Sequence, residues 1–436
     1  MPVRIHFLAM FMCATPMVAA RPGYAVDDEW FRIPSPIVAI GEASGHGPLP
    51  VKFEPRDLGV LRSVATQVWL RFPLASDREV DLVLQRIDPL ALDATVVVGT
   101  PAGDQEIQPR VALLSGVVRG IPESRVFLGL SERQIHGTVQ LPEETFVLSS
   151  GVFGAGDPAL IYSLTELPPD TIQWRPFECR VRDIRDVGSG LEKPPSNVSA
   201  PCRASEVAIE SDWEYTRDVF GGDTEAAAEY ALMLFGAVSE IYIRDFNTSL
   251  RVSFLRVWES DIDPYDGGDL EAFRDHWNAN MGHVPRQTAH LLSGVPGGGV
   301  AYFPALCNTV WAYGVSWGVT GHFPYPLKNN NSQNWDPYVV SHEIGHNFGA
   351  PHTHEVDPPI DRCGLGDCTD SDLGTIMSYC HTCGGGMVNI RLEFDPRTIK
   401  ESVLPYLDDG APCDLTHDPE CASTSPRAGS PTHGIR

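Results

Sequence analysis

A chain of 436 residues, 42% of them hydrophobic, is long enough to bury a substantial core and to divide into two or three domains. Its 57 acidic residues outnumber 32 basic ones, for a formal net charge of −25, which argues against nucleic acid as a partner because nothing basic is concentrated enough to neutralise phosphates. Past the N-terminus no stretch approaches roughly 18 uninterrupted apolar residues, so no membrane span is expected.

Residues 1–20 place Arg4 ahead of an apolar stretch from Phe7 to Met12 and end on Val18-Ala19-Ala20. This is the pattern of a signal peptide with a small-residue cleavage site, and it predicts export. Residues 21–190 run in short alternating segments broken by glycine and proline, as in Arg125–Leu130 and Gln134–Val139, the signature of a β-rich domain. Gly188, Gly190, Pro194, Pro195 and Ser196 suit an exposed linker, placed at 191–203. Arg182, Arg185 and Lys193 offer basic sites there for an activating cut between about 183 and 204.

From residue 204 the pattern becomes mixed α and β. Ala204–Glu210 reads as a strand, Asp223 can cap a long amphipathic helix running towards Arg244, and Leu250–Trp258 alternates as a strand should. Leu270–Asn280 predicts a second helix; Thr288–Leu292 and Gly299–Phe303 predict two more strands. Asp336 is a good N-cap, Pro337 suits the first helical position, and Val340, Ile344 and Phe348 form a buried stripe on the helix that follows. The tail, 413–436, is rich in Ser, Thr and Pro and is expected to be flexible.

That last helix carries the most informative residues. From His342 to His352 the chain reads HEIGHNFGAPH. His342 and His346 are four residues apart, so on a helix their imidazoles leave one face and can reach one metal ion. Glu343 is beside that face, placed to act on a water bound to the metal as a general base. Gly349 can adopt the left-handed conformation that ends a helix, which brings His352 back as a third ligand; His354 is a rival that needs a longer reach. Three protein ligands leave the fourth position of a tetrahedral zinc open, as in catalytic rather than structural sites.

Once Cys13 leaves with the signal peptide, nine cysteines remain, most of them expected to pair in an oxidising compartment. Cys363, Cys368, Cys380 and Cys383 predict two disulfides, with a structural zinc site as the alternative because Cys380 and Cys383 have CxxC spacing. An odd count leaves one thiol over: Cys179, unless it pairs with Cys202. Asp357, Asp361, Asp367, Asp370 and Asp372 make the acidic loop the candidate for Ca2+, although without the spacing of a known calcium loop.

With Thr375-Ile376-Met377-Ser378-Tyr379 following, the chain resembles the metzincin zinc metallopeptidases, whose signature is HExxHxxGxxH and a methionine-containing turn. Gly299-Val300-Ala301-Tyr302, Cys307 and the turn itself look like the secreted bacterial relatives of the reprolysin (adamalysin) branch, which usually carry aspartate where this chain has Thr353. The resemblance implies a mixed α+β catalytic domain over 204–412, in which a twisted sheet stands above the active-site helix and the lower half is irregular. It also implies Met377 beneath one catalytic Zn2+ without binding it, a Cys307–Cys413 disulfide, and the strand around Val300–Tyr302 as the upper rim of a cleft able to pair with an extended peptide.

Tyr379 matches the position of a tyrosine that can approach the zinc in astacins and serralysins, which implies a transition-state stabiliser. Residues 115–124, followed by Val126 and Leu128, look like a reprolysin propeptide, and Cys179 loosely resembles a metzincin cysteine switch. The implied function is a secreted zinc-dependent endopeptidase acting on proteins or peptides. The alternatives are a catalytically idle metzincin-like binding or adhesion protein, disfavoured because all four motif residues are intact, and hydrolysis of a non-peptide amide.

Overall fold

The computed structural model describes residues 30–41, 47–167, 171–174, 177–185, 202–265, 267–326, 332–333 and 335–418. The expected signal peptide, most of the linker 191–203 and the end of the tail lie outside them. From Phe31 onward the described residues form one compact unit.

Ten strands drawn from Phe31–Ser163 make one sheet, antiparallel except where Phe31–Pro34 pairs with Thr66–Ala75. Strand Ile121–Leu130 explains why both faces are apolar. Its period of two sends Val126, Leu128 and Leu130 into one core with Trp69 and Phe72, while Phe127 faces a second core on the other side.

The second sheet contains nine strands. In chain order its members are β1 (Leu90–Thr100), β2 (Gly103–Glu106), β3 (Cys179–Asp183), β4 (Arg203–Ser211), β5 (Thr248–Trp258), β6 (Thr288–Leu292), β7 (Gly299–Phe303), β8 (Tyr313–Ser316) and β9 (Thr416–His417). They lie in the order β3-β7-β8-β6-β4-β5-β1-β2, with β9 on β4. The expected strands at 204–210, 250–258, 288–292 and 299–303 are all present. However, three strands from before residue 190 join the same sheet: β1 pairs parallel with β5, β2 pairs with β1, and β3 pairs parallel with β7. The N-terminal half is therefore hydrogen-bonded into the sheet of the C-terminal half. The physical reason at β1 is that Val96, Val97 and Val98 are apolar on both faces and need a covered position.

Helix α1 (Thr224–Phe246) lies between the two sheets. The Asp223 carboxylate accepts from Ala226 N at 2.9 Å, the expected cap. Met233 packs where a Cβ on Gly129 would stand, and Ser239 accepts from Leu250 N of β5 at 2.9 Å. Covered from both sides, α1 is apolar enough and long enough to cross a membrane, yet its most apolar stretch is 94% buried in the protein. Helix α2 spans Leu270–Asn280, as expected.

At the end of β4, Asp212 accepts from Tyr215 N (2.7 Å), Gly294 N (3.1 Å) and the Ser293 hydroxyl. Asp263 beside it is pushed up to about 7 by burial and then by the charges of Asp212 and Glu214. The unfolded chain gives up this proton near pH 4, whereas the folded chain keeps it to about pH 7. The folded state binds more protons in that window, so stability falls as pH rises through it. The melting temperature of Asp263→Asn is expected to fall less steeply across the window than that of the parent; parallel curves would acquit Asp263.

Candidate metal centre

Helix α3 (Asp336–Asn347) is buried along its whole length, with Val340 and Ile344, and Phe348 just beyond its end, fully enclosed. Asp336 is not its N-cap, as the sequence suggested; Trp335 takes that position and Asp336 is already helical. Its carboxylate instead accepts from Thr320 N and Gly321 N at 3.0 Å and from the Tyr230 hydroxyl of α1 at 2.7 Å. A buried acceptor goes to whichever donors need it, and here they tie the helix to its surroundings. Gly349 ends the helix region at φ +83°, and the chain turns back at once to His352.

The three imidazoles meet. Ring centroids are 4.9 Å apart for His342 and His346, 5.3 Å for His342 and His352, and 4.7 Å for His346 and His352. Each ring is oriented through Nδ1. In His342 this atom lies 2.6 Å from the Ile376 carbonyl, in His346 2.9 Å from the Ala350 carbonyl, and in His352 3.3 Å from a Glu355 carboxylate oxygen. That leaves the three Nε2 atoms facing one another. Those of His342 and His352 are buried without a hydrogen-bond partner, an arrangement that costs free energy unless something else fills the space. A divalent cation fits, because neutral imidazole is its ligand form, and burial holds His342 and His346 well below the usual histidine range.

Cys179 is the fourth member of this group. Its sulfur and one nitrogen from each histidine all lie within 4.8 Å of one another, with Cys179 Sγ 3.2 Å from His346 Nε2. It is a free cysteine, and Cys202 is disulfide-bonded elsewhere, so the two do not pair. The sulfur reaches the centre because β3 pairs with β7 in register Cys179↔Gly299. A Cβ at Gly299 would stand 2.1 Å from Glu343 Oε1, so only glycine lets the rim come this close. Glu343 Oε2 is 3.5 Å from the thiol, and burial pushes its carboxyl well above the carboxylate range. Burial, and next the Glu343 charge, raise the Cys179 thiol.

Met377 is fully buried with its sulfur 3.0 Å from where a Cβ on Gly345 would be, beneath the helix between the first two histidines. Its carbonyl accepts from Thr353 N at 3.1 Å and from the Thr353 hydroxyl at 3.3 Å, so Thr353 ties the third histidine to the methionine turn. Tyr379 packs 4.9 Å from the His352 ring and donates its hydroxyl to the Cys179 carbonyl at 2.9 Å. His354 stands behind His352, its ring stacked at 5.3 Å, outside the four-membered group.

Cys363 pairs with Cys380 and Cys368 with Cys383, which removes the structural-zinc alternative; Cys307 pairs with Cys413. The calcium expectation finds no support. Among the described residues no metal-spaced group gathers the five aspartates; Asp361 alone joins one, with Cys363 and Cys380, whose sulfurs are already bonded to each other. Asp367 accepts instead from Thr369 N and Oγ1.

The sequence reading did not single out Glu355. The signal was available, since His352 and Glu355 stand at the spacing of a helix cap and its third residue, and Glu355 also accepts from His352 N at 3.2 Å.

Residues 203–390 match the Reprolysin_5 family model, described as Metallo-peptidase family M12. No curated protein matches the chain. Among solved structures it is similar to metalloproteinase-II from Bacteroides fragilis, at 12% identity and a TM-score of 0.39 over 78% of this chain and 93% of that one.

Proposed function

We propose, from the premise that residues 203–390 are a metzincin-like zinc metallopeptidase, that the chain is an exported endopeptidase held latent by its own N-terminal half. The observation that carries this reading is the convergence of His342, His346 and His352 on one point, with Glu343 beside it and the Cys179 sulfur on the remaining side.

When bound, zinc supplies a Lewis acid that polarises a carbonyl and acidifies water. The residues do the rest. His342, His346 and His352 would hold the ion through Nε2. Glu343 takes a proton from the attacking water and returns it to the leaving amine. The Tyr379 hydroxyl already donates to a peptide carbonyl in the cleft, that of Cys179, and the same donor suits the oxyanion of a substrate. With Cys179 in place, the thiol stands where water must enter. A cut between about 183 and 204, followed by departure of β3, would open the site.

The disulfides Cys307–Cys413, Cys363–Cys380 and Cys368–Cys383 suit an oxidising compartment and so favour export. The secreted protein, incubated with peptide mixtures after activation, should cleave them, and a chelator should stop it. Chelator-resistant cleavage, or none once the form starting beyond residue 183 has been sequenced and separated from the N-terminal half, would sink the reading. Glu355→Gln, which weakens the acceptor behind His352, is expected to lower zinc affinity by about 10–100-fold. An unchanged chelator titration would remove Glu355 from that role.

A further inference from the structure

Two residues before Cys179, the Phe177 side chain is 2% exposed in a recess walled by three aromatic rings. Tyr338, His342 and His381 each stand with ring centroids 5.4 Å from Phe177, at interplanar angles of 70°, 76° and 69°. We propose that this recess is the enzyme's side-chain specificity pocket and that it selects peptides bearing a phenylalanine-sized aromatic residue beside the scissile bond.

The inference rests on the peptidase reading and adds the substrate class. Three edge-to-face contacts match the quadrupole of a benzyl ring, an attraction beyond area burial that an aliphatic side chain does not obtain. His342 is one wall, so whatever side chain enters the pocket belongs to a residue next to the reacting carbonyl. The other walls are pre-set. The Tyr338 hydroxyl lies 3.1 Å from His381 Nδ1 and 3.0 Å from the Ser378 carbonyl, contacts that do not involve the occupant, while His381 Nε2 lies 3.1 Å from the carbonyl of Phe177 itself. Burial holds His381 below the usual histidine range, and because a carbonyl only accepts, Nε2 is the donor in its contact with Phe177. A Lys, Arg, Asp or Glu side chain would meet no counter-charge on these walls.

The test uses the full chain, activated by limited proteolysis after residue 183 and separation from the N-terminal half, and matched peptides carrying Phe, Tyr, Leu, Ala or Lys at each position flanking the cut. Phe is expected to exceed Ala by about 100-fold in kcat/KM. Cleavage that is indifferent to this residue, or best with Leu, Ala or Lys, overturns the pocket assignment while leaving the peptidase standing. Failure to cut any peptide instead overturns the peptidase reading. As a second readout, a synthetic peptide of residues 172–183 should inhibit the activated enzyme at least about tenfold better than the same peptide with Phe177→Ala. Equal inhibition by the pair also overturns the assignment.

Discussion

Glu343→Gln is expected to lower kcat/KM of the activated enzyme by about 10²–10⁴-fold, the usual contribution of a positioned general base, while zinc content stays at that of the parent. Glutamine preserves the shape that fits against Gly299, where there is no room for rearrangement. It removes only the basicity. Among the described residues neither carboxylate oxygen holds an ion pair, Oε1 is buried without a partner, and Oε2 faces Cys179, so the structural cost is small and the chemical one large. Steady-state kinetics with metal analysis on the same sample separates the two. Normal turnover in this variant would end the mechanism; lost zinc would reassign Glu343 to the metal shell.

Cys179→Ala in the uncut chain is expected to produce activity where the parent has little. Taking one ligand's share of a four-ligand zinc site as about 3 kcal/mol, loss of the thiol should raise the open fraction on the order of 100-fold. Activation stays incomplete, because β3 still pairs with β7 and Phe177 still fills its recess. Cys179→Ser should lie between the two. A precursor as silent as the parent, with unchanged melting temperature, would show that strand and ring block the cleft without the sulfur.

What was legible in the sequence follows from the range of the interactions involved. The metal motif and α3 are local: ligand spacing, a left-handed glycine and a stripe every four residues can be read from a short window. So can α1, α2 and the strands from Arg203 to Phe303, where alternation and caps agree. β8 escaped because Tyr313–Ser316 is four residues long with Gly314 inside it. β3 escaped because Cys-Arg-Val-Arg-Asp has no buried face of its own and becomes a strand only by pairing with β7. The place of β1 in the second sheet is likewise a long-range pairing, which no local pattern encodes. The aspartates between 357 and 372 misled because composition suggested a site that their positions do not assemble.

The parallel pairing of β1 with β5 also bears on how the peptidase comes into being. Its outer strand is paired by a segment translated more than a hundred residues earlier, so the N-terminal half would serve as a folding partner as well as the inhibitor proposed above. Residues 204–412 produced without it would present the bare margin of Thr248–Trp258 to other chains and favour aggregation. Cutting the connection after folding leaves that seam intact, so severing the chain and dispersing its two parts are separate events.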